Sequence, residues 1–252
     1  PTFAMYGVYC RMYGAEARAL TYRPSNAGPA LTASDIVDTI QSSSPKLVCL
    51  PNPDSPTGTA FTANEMRKII EAADTAGAVM LVDEAYYPFH AETVLPWVTE
   101  FSNLVVTRST GKAWGLAGFR IGYGAASSEM AAILHKVRPM YETNSIAVAV
   151  FERMLDHVGD MQDSVKRLEK GKAEFLDVMD GLGFHTLRGQ GNFLHVSFGS
   201  KASEIHRALE NLVYYRKDFD DPCLRGFSRF SSATPEQFAP ITAQIRQVMQ
   251  EG

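Results

Sequence analysis

Thr107-Arg108-Ser109-Thr110-Gly111-Lys112-Ala113-Trp114-Gly115-Leu116-Ala117-Gly118-Phe119-Arg120-Ile121-Gly122-Tyr123 sets one lysine among glycine, alanine and leucine. A lysine in such surroundings is a candidate for a desolvated amine, and a desolvated amine is a ready nucleophile. Ser109 stands three residues before it and Arg120 eight after it. A hydroxyl and a guanidinium so placed suit a phosphate, to which arginine offers a bidentate contact.

Outward from this segment the chain alternates. Apolar runs at 46–50, 79–83, 104–107 and 120–124 are strand-length and bounded by turn residues, as buried parallel strands are. Helical patterns lie between them. One, at 32–43, opens Thr32-Ala33-Ser34-Asp35; another, at 62–76, opens Thr62-Ala63-Asn64-Glu65, a capping box. This alternation predicts an α/β fold, a mostly parallel sheet with helices on both faces. Functional groups in such sheets gather at the carboxyl ends of strands, where residues 55–58, Asp83 and Lys112 would converge.

Beyond residue 126 the pattern changes. A long helical stretch at 128–179 is broken near Pro139 and Asn144-Ser145. Short β runs at 184–188 and 193–198 follow, parted by Gly189-Gln190-Gly191-Asn192. Then come a helix at 202–212, β-like runs at 213–216 and 227–232, and a helix from Pro235. The expected organisation is a large domain at 1–127, a connecting helical segment at 128–180 and a smaller α+β domain at 181–252.

Composition narrows the class. Of 252 residues, 45% are hydrophobic and 21% charged, ordinary values for a soluble globular protein. A net charge of -4 gives no argument for nucleic acid. No apolar run reaches the length of a membrane span. Cys10, Cys49 and Cys223 are too few and scattered for a disulfide framework, which points to a reducing cytoplasm. The histidines show no metal-ligand spacing, so no metal is expected.

An amine that can condense with an aldehyde, beside a phosphate cradle, is what pyridoxal 5'-phosphate (PLP) requires. Here the chain resembles the PLP-dependent aminotransferases of fold type I, and within them the histidinol-phosphate aminotransferase-like group. Four further segments carry the resemblance in order: Pro1-Thr2-Phe3-Ala4-Met5-Tyr6, Asn52-Pro53-Asp54-Ser55-Pro56-Thr57-Gly58, Asp83-Glu84-Ala85-Tyr86, and Arg229-Phe230-Ser231-Ser232-Ala233-Thr234. Together with the lysine segment they run from residue 1 to about residue 238, nearly the whole chain. Relatives carry an N-terminal arm and a short Gly-rich phosphate loop before the first of these motifs, so the N-terminal part is expected to be missing, and PLP binding by the chain from Pro1 to be weak.

The resemblance implies roles. Lys112 would attach the cofactor and move a proton at the substrate Cα. Asp83 would pair with the pyridine nitrogen, and Tyr86 would donate to the cofactor's phenolic oxygen. Ser109 and Arg120 would hold the phosphate, and Phe3 would stack on the ring. Ser55 replaces the family's asparagine, which leaves a shorter reach to the ring oxygen. Arg229, Arg216 and Asn192 would bind substrate, with Arg225 structural. The implied activity moves an amino group from an amino acid or a phosphorylated, histidinol-phosphate-like amine to a 2-oxo acid, in a homodimer. Two alternatives stay open: a PLP-dependent decarboxylase or lyase resembling threonine-phosphate decarboxylases, and a truncated non-catalytic relative acting as a binding protein.

Overall fold

The computed structural model describes residues 1–251. Its first half is a four-stranded sheet in the order β1 (Leu47–Pro51), β2 (Val79–Asp83), β3 (Leu104–Ser109), β4 (Gly122–Ala126). β1, β2 and β3 are parallel, with Pro51 beside Asp83 and Asp83 beside Thr107. Two helices, α2 (Ala33–Ser43) and α3 (Ala63–Thr75), pack together on one face. Each starts where its capping residues dictate. Thr32 and Asp35 form a reciprocal box at α2, and Thr62 and Glu65 do so at α3. Ile36, Ile40, Met66, Ile69 and Ile70 then join Met80, Val82, Leu104 and Val106 in the first core.

The other face is more thinly covered. Val79, Leu81 and Asp83 are only half-buried, whereas Met80 and Val82 between them are fully buried. The helix on this side is α1 (Met5–Met12), whose Tyr6 hydroxyl donates to Asp83.

The fourth strand corrects the sequence reading. The run expected as a parallel strand at 120–124 is β4 at Gly122–Ala126, antiparallel to β3 and largely exposed. A parallel return needs a crossover, usually a helix. Here the chain folds straight back from β3, with Ser109 paired to Gly122. Arg120, expected at the strand start, instead has a left-handed backbone with φ of 54°.

Past residue 127 come α4 (Ser128–Val137), α5 (Ser145–Met154) and α6 (Val158–Gly181). A second, antiparallel sheet runs β5 (His185–Leu187), β6 (Phe193–Ser197), β7 (Ser228–Ser231). Packed on it are α6, α7 (Ala202–Ala208) and α8 (Pro235–Glu251), with Phe175, Leu194, Ile205, Phe230 and Ile245 in the core. The helix expected to reach 212 stops at Ala208, and the β run expected at 213–216 is reduced to a single bridge between Arg216 and Arg229.

His195, in β6, is fully buried, and neither ring nitrogen has a hydrogen-bond partner. Burial first, and the Arg229 charge next, push its pKa down to about 3. Unfolding releases it to an ordinary value near 6.5. The folded value being the lower, this group leaves stability intact above about pH 6.5 and erodes it as pH falls towards about 3. His195→Leu should therefore flatten the pH dependence of unfolding free energy between about pH 4 and 6, by on the order of 1.4 kcal/mol per pH unit. Urea denaturation across that range measures it, and parallel slopes in both proteins would contradict the assignment.

Candidate functional site

Three parallel strands end side by side, and the functional side chains stand just past their ends. The Asn52 amide donates to the Asp83 carbonyl at 2.9 Å, and the Glu84 amide donates to the Thr107 carbonyl at 2.8 Å. These bonds carry the ladder one step beyond the strands and fix the spacing of the loops above.

Asp83 is half-buried at the end of β2. Its carboxylate accepts from the Tyr6 hydroxyl at 3.0 Å and from the Ala85 amide at 3.0 Å. Burial raises its pKa, against the pull of those two donors and of the Lys112 charge. Burial beside Asp83 likewise pushes the Tyr6 hydroxyl up, so it stays a donor. Behind this pair the buried Glu84 takes two hydrogen bonds from Arg108, whose guanidinium lies 3.5 Å from the centre of the Tyr87 ring. The Thr93 hydroxyl and the Val94 amide complete the cage around Glu84.

Lys112 stands on the loop after β3, its Nζ 5.2 Å from the centre of the Tyr86 ring. The lysine is exposed, which corrects the expectation of a desolvated amine. It lies beyond the open carboxyl edge of the sheet, where Tyr86 forms its floor. The Ser109 hydroxyl accepts from the Gly111 amide at 3.1 Å, so the loop is pinned at its first turn. Gly111 packs against Ala117; a Cβ there would sit 3.2 Å from the Ala117 Cα. Arg120 is exposed, and its Nη1 donates only to the Ala117 carbonyl among the described residues.

Tyr86 is buried and meets Phe193 edge-on, with ring centres 5.3 Å apart. Phe193 opens β6, and the Arg229 guanidinium lies 5.2 Å from its ring centre. Arg229 Nη1 donates to the Ser55 hydroxyl at 3.5 Å, which joins the second sheet to the turn after β1. Burial lowers the Arg229 pKa, and no acidic side chain among the described residues offsets its charge. Asn192 is half-buried, and its carbonyl accepts from the Ser232 amide.

Other candidates lie further out. Arg216 is exposed; its guanidinium lies 4.0 Å from the Phe219 ring centre, and its backbone pairs with Arg229. Arg225 is also exposed and donates to the Asp220 carbonyl. Phe3 is exposed and touches Tyr6 edge-on at 5.9 Å. Asn52 is turned away from the site, its amide bonded in both directions to the Phe61 backbone.

Two contacts were not read from the sequence. The Tyr6 hydroxyl reaches Asp83 across 77 residues, a separation that no local pattern signals. Asp54 accepts from Thr2 and Thr57 and thereby braces the turn that carries Ser55.

The family model for aminotransferase class I and II matches residues 1–242. The chain is 29% identical over 251 residues to the histidinol-phosphate aminotransferase of Caldanaerobacter subterraneus subsp. tengcongensis, covering 99% of this chain and 69% of that protein. It superposes on the crystal structure of the histidinol-phosphate aminotransferase from Clostridium acetobutylicum with a TM-score of 0.87 at 18% identity, covering 100% of this chain and 77% of that one. The Sinorhizobium meliloti histidinol-phosphate aminotransferase in complex with pyridoxal-5'-phosphate gives 0.81 at 21% identity, covering 99% and 68%. The chain spans about two thirds of the length of the curated relatives it matches. It belongs to the class I and II aminotransferases, which are PLP-dependent transaminases.

The side chains present fit that cofactor. An amine, a partly buried carboxylate held by two donors, a phenol and the Ser109 hydroxyl stand at the carboxyl ends of the strands, with the exposed Arg120 on the loop that follows. The brace behind them is open to test. Arg108→Met leaves Glu84 buried without its counter-charge, which should cost about 3–5 kcal/mol. Thermal and denaturant melts check this; a loss under about 1 kcal/mol would mean that Thr93 and Val94 suffice to hold Glu84.

Proposed function

We propose that this chain carries the amino-transfer site of its family, with residues 1–127 holding the cofactor and 181–252 the substrate across the helical segment 128–180. The observation that carries the reading is the convergence of Asp83, Tyr86 and Lys112 at one edge, with Arg229 facing them from the second sheet. When bound, PLP supplies an electron sink for the charge released at the substrate Cα.

The side chains then divide the work. Asp83 would hold the proton on the pyridine nitrogen; burial raises its pKa, and its two existing donors and the Lys112 charge offset part of that rise. Tyr86 would donate to the cofactor's phenolic oxygen. Lys112 would hold the cofactor through its amine and would move a proton at the substrate Cα. Covering the open loop with cofactor would exclude water from around that amine. Ser109 and Arg120 would bind the phosphate, and Phe3 would cover the ring. Ser55, shorter than asparagine, would reach the ring oxygen through water while its hydroxyl takes Arg229.

Arg229 is a guanidinium without an acidic partner among the described residues, facing the site, and would clamp the substrate's acidic group with Arg216 and Asn192 at the mouth. The substrates would be an amino acid or phosphorylated, histidinol-phosphate-like amine as donor and a 2-oxo acid as acceptor. The working form would be a cytoplasmic homodimer. No described helix is long and apolar enough to cross a membrane.

Two substitutions test the proposal. Asp83→Asn should preserve the fold and lower single-turnover amino transfer by about a hundredfold or more, because an amide cannot hold the ring proton. Near-normal transfer would rule out the role. Arg229→Lys keeps the charge but loses the planar fork. The donor KM should rise about ten- to a hundredfold, equivalent to roughly 1.5–3 kcal/mol, while the cofactor spectrum persists. Equal losses in cofactor and donor binding would make Arg229 structural.

A further inference from the structure

Lys172 is a buried lysine that no step above uses. It lies on the apolar stripe of α6, in the series Met161, Val165, Leu168, Lys172, Phe175, Met179, whose alternating spacing of three and four marks the face turned to the core. A lysine there is buried at a cost unless its ammonium is satisfied. Its Nζ donates to the Gly189 carbonyl at 2.9 Å and to the Gly191 carbonyl at 2.9 Å, and Glu169 stands 3.5 Å away. Burial lowers its pKa, and Glu169 opposes the shift.

The loop so gripped is the joint between the two sheets. The Gln190 amide donates to the Gly58 carbonyl at 2.7 Å. A Cβ on Gly189 would sit 2.9 Å from the Gly58 Cα, and one on Gly191 would sit 3.2 Å from the Tyr86 ring. Residues 189–191 therefore lie directly on the turn that carries Ser55 and on the floor of the Lys112 loop. Asn192 and Phe193 follow at once, and the Arg229 guanidinium lies over the Phe193 ring. On the other side α6 is locked to the segment after β7, since a Cβ on Gly171 would collide with the Ala233 carbonyl.

We propose that Lys172 is a positioning residue for the substrate arm: its ammonium ties the carbonyls of Gly189 and Gly191 to α6, and so sets where Asn192, Phe193 and Arg229 stand relative to Tyr86 and Ser55. The proposal rests on the aminotransferase reading for its consequence, but not for the tie itself. The charge suits the task because two carbonyl oxygens pointing at one place need a donor with more than one hydrogen, which an ammonium has. Without it, neither carbonyl has another hydrogen-bond donor among the described residues.

The test compares Lys172→Met and Lys172→Arg with the unmodified chain, each loaded with PLP. Hydrogen exchange at the Gln190 amide should quicken at least tenfold in Lys172→Met, with β2 and β3 amides unchanged. The donor KM should rise at least tenfold, while kcat at saturating donor and PLP affinity change less than threefold. Lys172→Arg, whose guanidinium can still serve two carbonyls, should recover part of both losses. An unchanged Gln190 amide would overturn the tie. Quickened exchange with an unchanged KM would overturn its role in substrate placement. Parallel losses in KM, kcat, PLP affinity and melting temperature would reduce Lys172 to general stability, and that too would overturn it. If the unmodified chain transfers no amino group, the aminotransferase reading fails, and the exchange data still decide the tie.

Discussion

The register of three parallel strands is the constraint on which the rest of the structure depends. Pairing Pro51 with Asp83, and Asp83 with Thr107, brings the chain out of β1, β2 and β3 at one level. A shift of one residue would turn Asp83 to the other face and bury it with Met80 and Val82. In the register observed, the carboxylate meets Tyr6 on the thinly covered face, and the loops above it deliver Ser55, Tyr86 and Lys112. The core of Ile69, Ile70, Met80 and Leu104 holds the register, since slippage by one residue would expose alternate apolar side chains.

A second constraint joins the halves. Gly58 and Gly189 approach so closely that neither tolerates a Cβ without displacement of backbone, and Gly58 has a φ of 74° that suits glycine. This contact holds Arg229 beside the turn that carries Ser55. Arg229, with Arg216 nearby, brings positive charge to the side that faces Tyr86 from the second sheet. His195, the neighbour of Arg229 across the β6–β7 ladder, stays neutral because burial holds its pKa near 3. The positive charge is thus carried at Arg229, and not deeper in the sheet.

Much of this was legible in the sequence, for physical reasons that differ by residue. The strand at Val79–Asp83 matches the reading to the residue, because its apolar run is cut off by a carboxylate. The starts of α2 and α3 follow from Thr-x-x-acid boxes, which are local chemistry. The motifs around Asp83, Lys112 and Arg229 gave the family. The direction of β4 was not legible, because apolar periodicity carries no sign and only the return of the loop decides it. Exposure of Lys112 was missed because small flanking residues describe the neighbours along the chain and not the space above them. Lys172 and Tyr6 act through partners 17 and 77 residues away, which spacing does not reveal.

Reductive trapping asks whether Lys112 and Asp83 serve one cofactor at the carboxyl ends of these strands. PLP is added to the chain, borohydride fixes the adduct, and peptide mapping locates the modified lysine, alongside the same experiment on Asp83→Asn. The account predicts one labelled peptide, containing Lys112, with the asparagine variant labelled at the same site but showing an altered absorbance band. A label on any other lysine, or a spectrum indifferent to Asp83, would contradict it.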